Sequence, residues 1–175
     1  MKLTRVLFSV CLALFFASAL SAQEKFSDAN VDYTFDLPEA KWKQTVKPST
    51  TSPNVEYVYG DRADGRLEVR RLALKTGDML PDLMASEEQR LQFLPGYVAG
   101  KEEEFKGSLN GKIFNYEFVR SGRNMSGRFY FLKAADKTVY VIRFTGQREK
   151  LRSVRNQTDS IARTFSLKKA KQLTK

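Results

Sequence analysis

The sequence contains no histidine, and its single cysteine, Cys11, lies in an apolar stretch near the N-terminus. Beyond that stretch there is no disulfide framework, no thiol nucleophile, no Cys/His zinc set, no Ser-His-Asp triad and no histidine base. The fold must therefore rest on hydrophobic packing, and only carboxylate, lysine and tyrosine chemistry stays open. A membrane-length apolar run is missing as well. The stretch over residues 6–20 has 15 residues, short of the roughly 20 that a spanning helix needs.

That stretch has a different reading. Lys2 and Arg5 precede it, and the small residues Ser18-Ala19-Leu20-Ser21-Ala22 follow before the polar Gln23-Glu24-Lys25. This order is that of a cleavable secretory signal, with the cut expected after Ala22. No cysteine stands at position 23 to carry a lipid. The expected organisation is a signal peptide over residues 1–22, one domain over 23–167 and a basic tail over 168–175. The destination is exported, periplasmic or secreted, with no membrane span once the signal is gone.

Acidic residues are in the minority, 20 against 30 lysines and arginines. The formal charge of +10 becomes +8 when Lys2 and Arg5 leave with the signal. Outside the cytoplasm such a charge suits lipid head groups, envelope polymers or acidic proteins, although scattered charges on an ordinary soluble surface would have the same sum.

Between the ends there is no repeat and no linker. Val31-Asp32-Tyr33-Thr34-Phe35-Asp36-Leu37 alternates apolar and polar residues, the period of a half-buried strand. Pro38 ends it, and the sole tryptophan, Trp42, is expected in a short turn as a core plug. Val55-Glu56-Tyr57-Val58-Tyr59 alternates again, and Gly60 to Gly65 supplies the turn of a hairpin. Its second strand, residues 66–75, changes apolar phase between Val69 and Leu72, which predicts a bulge near Arg70-Arg71.

Asp78 can cap a helix whose apolar stripe is Leu80, Leu83, Met84, Leu91 and Leu94, stopped by Pro95-Gly96. A meander follows: strands over 104–109, 113–120, 128–133 and 138–145, with a turn at Asn110-Gly111 and a loop over residues 121–127. Val139-Tyr140-Val141-Ile142-Arg143-Phe144 and Phe129-Tyr130-Phe131-Leu132 are apolar in both phases, so both faces of these strands must be covered. One helix cannot do that. The second cover is predicted over 148–165, where Leu151, Val154, Thr158, Ile161 and Phe165 recur at three and four.

The fold class expected is α+β: an α/β/α sandwich with a central twisted antiparallel sheet of about six or seven strands and helices on both faces. Three groups of residues carry a resemblance. They are Tyr33-Thr34-Phe35-Asp36-Leu37-Pro38 with Trp42; Leu94-Pro95-Gly96-Tyr97; and Val139-Tyr140-Val141-Ile142-Arg143-Phe144-Thr145 before a helix closing on Asp159-Ser160-Ile161 and Thr164-Phe165. In these the whole chain beyond residue 22 resembles the PsbP-like superfamily, the group of PsbP and the DcrB-like exported proteins. The resemblance implies the sandwich, and a non-enzymatic binding or assembly role. Photosynthetic members of that group are associated with manganese or calcium, but no histidine is present here to match a ligand, so no metal site and no cofactor are carried over.

Local candidates for chemistry are weak. Glu102-Glu103-Glu104 alternate faces in a strand, and Asp32 and Asp36 stand about 13 Å apart along one, beyond the roughly 5–9.5 Å of paired glycosidase carboxylates. No catalytic residue is assigned and no enzyme is expected. The alternation of arginine and aromatics over residues 128–131 departs from the RNA-platform motif and reads as core, so no nucleic acid is expected.

The candidate surface is basic: Arg66, Arg70 and Arg71 from one strand with Arg120, Arg123 and Arg128 around the 121–127 loop, facing an anionic envelope component or protein partner. Two alternatives stay open. One is a carrier of a small apolar ligand or lipid, with a pocket near Leu91, Phe114, Tyr116 and Phe118; the other, weaker, is a carboxylate-dependent hydrolase.

Overall fold

A computed structural model describes residues 24–168 apart from 63, 135 and 136. The expected signal peptide, residues 1–22, and the tail beyond Lys168 lie outside the described residues.

Among the described residues ten strands and three helices are formed. The strands are β1 (Glu24–Ser27), β2 (Tyr33–Leu37), β3 (Trp42–Val46), β4 (Val55–Tyr59), β5 (Gly65–Ala73), β6 (Val98–Phe105), β7 (Gly111–Arg120), β8 (Arg123–Lys133), β9 (Thr138–Gln147) and β10 (Ser166–Leu167). The helices are α1 (Leu80–Leu91), α2 (Arg148–Ser153) and α3 (Arg155–Thr164). Seven strands make one antiparallel sheet in the order β3-β4-β5-β9-β8-β7-β6, and β1-β2-β10 make a small second sheet. Among the described residues no helix is long and apolar enough to cross a membrane.

The double apolar phase of the central strands has the expected consequence. Tyr130, Leu132, Tyr140, Ile142 and Phe144 enter one core with Leu151 and Val154 of the α2–α3 segment, Ile161 and Ala162 of α3, and Tyr33, Phe35 and Leu37 of β2. Phe129, Phe131, Val139 and Val141 enter the other, against Met84 and Leu91 of α1. Side chains of successive residues leave a strand on opposite faces, so the large sheet is sandwiched between α1 on one side and α2, α3 and the small sheet on the other. Burial of each such aromatic or aliphatic side chain contributes roughly 1.5–3 kcal/mol.

Several local expectations change. The phase switch in β5 is not a bulge. The strand pairs with β9 in unbroken register from Arg66↔Thr145 to Ala73↔Thr138, and Leu67 and Val69 serve the first core while Leu72 packs on the second. Trp42 begins strand β3 rather than sitting in a turn, but it is 2% exposed and plugs the core as expected. The loop expected over 121–127 is a two-residue turn. Ser121 and Gly122 both have positive φ, and residues 123–127 belong to β8, the tight geometry that a right-twisted hairpin favours.

The predicted last helix breaks at Val154 into α2 and α3. Helix α1 is capped at Met79, whose N–H donates to Asp82 Oδ2 at 2.7 Å, rather than at Asp78, and it ends at Leu91. The N-terminal segment is not loose: Phe26 anchors β1 against Phe35. Lys168 is drawn in as well, its Nζ donating to the carbonyls of Asp28 and Val31.

Candidate functional site: an arginine-lined cleft

The six arginines read from sequence do not converge. On β5, Arg66 and Arg70 project to the α1 side, where Arg66 pairs with Glu56 at 2.8 Å and Glu68 at 3.0 Å, and Arg70 with the buried Glu87. Arg71 projects to the opposite side, 3.8 Å from Asp32. Arg120 and Arg123 face each other across the β7–β8 turn and are exposed. Arg128 is not a surface residue: it is 6% exposed, so it departs from the proposed patch.

Arg128 instead belongs to a different grouping. Between the β6 edge of the large sheet and the α2–α3 segment lies a cleft of about 530 Å³, within the range of small-molecule sites; its lining includes Arg128, Arg148, Arg152 and Arg155. The sheet contributes Arg128 because even-numbered residues of β8 face this side. The helical segment contributes the others: Arg148 and Arg152 stand four apart on one face of α2, and Arg155 opens α3 just beyond the break at Val154. Val98 and Ala99 of the edge strand and Leu151 of α2 supply the apolar part of the lining, and Glu117 the acid.

Buried charge needs partners, and Arg128 has them. Its Nε donates to the Tyr130 hydroxyl at 2.7 Å, Nη1 to Asn115 Oδ1 at 2.7 Å and Nη2 to Asp159 Oδ1 at 3.1 Å. Tyr130 in turn donates to Asp159. Burial pushes the Tyr130 hydroxyl well above the usual tyrosine range, Arg128 opposing the shift and Asp159 reinforcing it, so the group stays protonated and keeps its donor role. The guanidinium at the cleft floor is thus fixed in place before any ligand arrives, the condition under which a planar fork binds oxyanions well. The wall arginines are looser. Arg148 pairs with Glu117 at 3.2 Å, Arg155 lies 4.0 Å from Glu103, and both are about half exposed.

The other candidates fall elsewhere. Leu91, Phe114, Tyr116 and Phe118 are each under 5% exposed, and Tyr116 stacks between Phe114 and Phe118, so the layer where a carrier pocket was expected is filled by its own side chains. Of the carboxylates around the cleft, Glu117 and Asp159 are engaged by arginine, and Glu103 stands 4.0 Å from both Arg128 and Arg155. Glu102 and Glu104 turn to Lys112 on the neighbouring strand.

No family model matches the chain, and no curated protein matches it in sequence. Solved structures do. The cyanobacterial PsbP of Synechocystis sp. PCC 6803 superposes with a TM-score of 0.58 at 15% identity, over 86% of this chain and 95% of that one. The chain has a PsbP-like fold. Two further structures share it: LpqN of Mycobacterium tuberculosis, described as involved in cell envelope biogenesis, at TM-score 0.55 and 12% identity over 85% of this chain and 92% of that one; and PA94 of Pseudomonas aeruginosa, a protein of unknown function, at TM-score 0.53 and 15% identity over 85% and 99%. At these identities the PsbP-like likeness concerns the fold and leaves the cleft residues to be judged on their own chemistry.

Proposed function

We propose that the protein is exported, loses residues 1–22 and works in the cell envelope or secreted fraction as a non-catalytic binding or assembly protein, its anionic partner seated on the arginine-lined cleft. The observation that carries this reading is the convergence of four arginines on one cleft, with the buried one locked by three hydrogen bonds. Such a site holds charge in place and offers binding rather than proton transfer.

The signal-like N-terminus supports the compartment. The cell-envelope role stated for LpqN, a protein of the same fold, supports the setting. Neither catalysis nor a carrier role gains a comparable observation, because Glu117 and Asp159 beside the cleft are tied to arginines, Glu103 stands between two of them, and the expected apolar pocket is packed.

The test is expression of the full chain, fractionation, and determination of the mature N-terminus. Gln23 as the first residue of a soluble exported protein is the expected result. A chain retained in the cytoplasm with Met1 intact would overturn the reading.

A further inference from the structure

An arginine carries five N–H donors. Three on Arg128 are taken by Tyr130, Asn115 and Asp159, leaving one on each terminal nitrogen. The next acceptor near Nη1 is Glu103 Oε1 at 4.0 Å, too far for a hydrogen bond. That same oxygen lies 4.0 Å from Arg155 Nη2. The hydrogen bond it does accept comes from Asn115 Nδ2 at 3.2 Å. Glu103, 43% exposed on the edge strand, therefore stands between two guanidinium groups without a close contact to either. Arg152, exposed on α2, pairs with no acid among the described residues.

We propose that the cleft binds an oxyanion group, phosphate or carboxylate, which takes the place of the Glu103 carboxylate between Arg128 and Arg155 and is joined by Arg152. The body of the ligand lies along Val98, Ala99 and Leu151. A free oxyanion can approach both guanidinium groups at hydrogen-bonding distance, which a carboxylate tethered to β6 does not. Arg128 is already ordered, so little conformational entropy is lost at the floor of the site on binding. The proposal deepens the reading of the chain as a protein with an anionic partner and rests on it for biological meaning, but its test is independent of export.

The protein, expressed with residues 1–22 in place and purified, is titrated calorimetrically at low salt with inorganic phosphate and with succinate. In parallel it is mixed with vesicles of phosphatidylglycerol and of phosphatidylcholine. Saturable binding of phosphate or succinate is expected, weakened by added salt. Glu103→Gln removes the competing charge and should tighten binding by about two- to fivefold, while Arg152→Gln and Arg155→Gln should each weaken it by about the same factor, the range of exposed charge pairs.

Opposite signs from acid and arginine variants separate a site from a general loss of folding. Vesicle binding that follows the same variant order identifies a lipid head group as the source; phosphate or succinate binding without it identifies a soluble ligand. Absence of saturable binding to either small anion, or a Glu103→Gln protein that binds no better, overturns the proposal. A partner still captured from envelope extracts in that case would leave the binding-protein reading standing without this site.

Discussion

Gly127 tests the packing that holds the sheet's second core. Gly127 pairs with Tyr116 on β7 and with Thr145 on β9, and the Tyr116 ring lies across it, its hydroxyl receiving a hydrogen bond from Arg143 Nε at 2.8 Å and sitting 3.3 Å from Thr145 Oγ1. A methyl group at position 127 would stand 2.0 Å from Tyr116 Cζ and 2.3 Å from its oxygen. Ordinary contact is about 3.5–4.0 Å, so the ring would have to retreat by about 1.5 Å. It has nowhere to go. Tyr116 is 1% exposed, with the rings of Phe114, Phe118 and Phe129 within 6.3 Å of its own.

Overpacking of this kind costs about 1–3 kcal/mol, and loss of the tyrosine's hydrogen bonds adds about 1 kcal/mol. Gly127→Ala should therefore lose about 2–4 kcal/mol, or about 5–15 °C in Tm for a domain of this size. Urea denaturation followed by the fluorescence of the buried Trp42 measures it, with an unchanged slope. In a Tyr116→Ala background the same change should cost nothing or stabilise slightly, since alanine is favoured over glycine within a strand. A loss below about 1 kcal/mol in the parent, or a penalty that persists without Tyr116, would refute this reasoning.

Two further outcomes are expected. Glu87 is buried on α1 and receives Arg70 from β5 and Arg90 from its own helix; Glu87→Ala strands Arg70, whose Nε already lacks a partner, and should cost about 2–3 kcal/mol in urea denaturation, below the full penalty for a buried pair because both arginines reach solvent. In the alkaline range, Tyr33, Tyr57, Tyr97, Tyr130 and Tyr140 are all raised above the ordinary tyrosine value, mainly by burial. The folded chain keeps these protons where the unfolded chain releases them, so their stabilising contribution is whole below about pH 10 and is lost as pH climbs towards the folded values. The phenolate absorbance of these five should then rise in one cooperative step with unfolding rather than in a gradual titration of the native protein.

Much of the sandwich was legible because its strands are long and apolar in both phases. Val139 to Phe144 could be nothing but a strand covered twice, and the stripe from Leu151 to Phe165 named the second cover. The misreadings have physical causes. Residues 42–46 form an edge strand with one apolar anchor, Trp42, so no alternation marks them, and β1 is held by Phe26 almost alone. At residues 69–72 a change of phase reflects two cores served by one regular strand, a pattern that linear periodicity cannot tell from a bulge.

The site was harder to read. Arg148, Arg152 and Arg155 carry a visible spacing of four and three, but the apolar stripe of the same segment has that spacing too, and charged residues beside such a stripe have the pattern of an ordinary solvated face. Arg128 appeared as a surface residue at the start of a strand beside the 121–127 loop because its partner Asp159 is 31 positions away in the chain, and only the packing of α3 on β8 brings them together.

The most direct test is affinity capture from the organism's own envelope and secreted fractions, at low and high salt, with the parent protein and with its Arg148→Gln/Arg152→Gln/Arg155→Gln variant side by side. A specific partner held by the parent at low salt, released at high salt and missing from the variant is the expected result. A partner retained equally by both proteins, or none held by the parent under either condition, would contradict an anionic partner seated on the cleft.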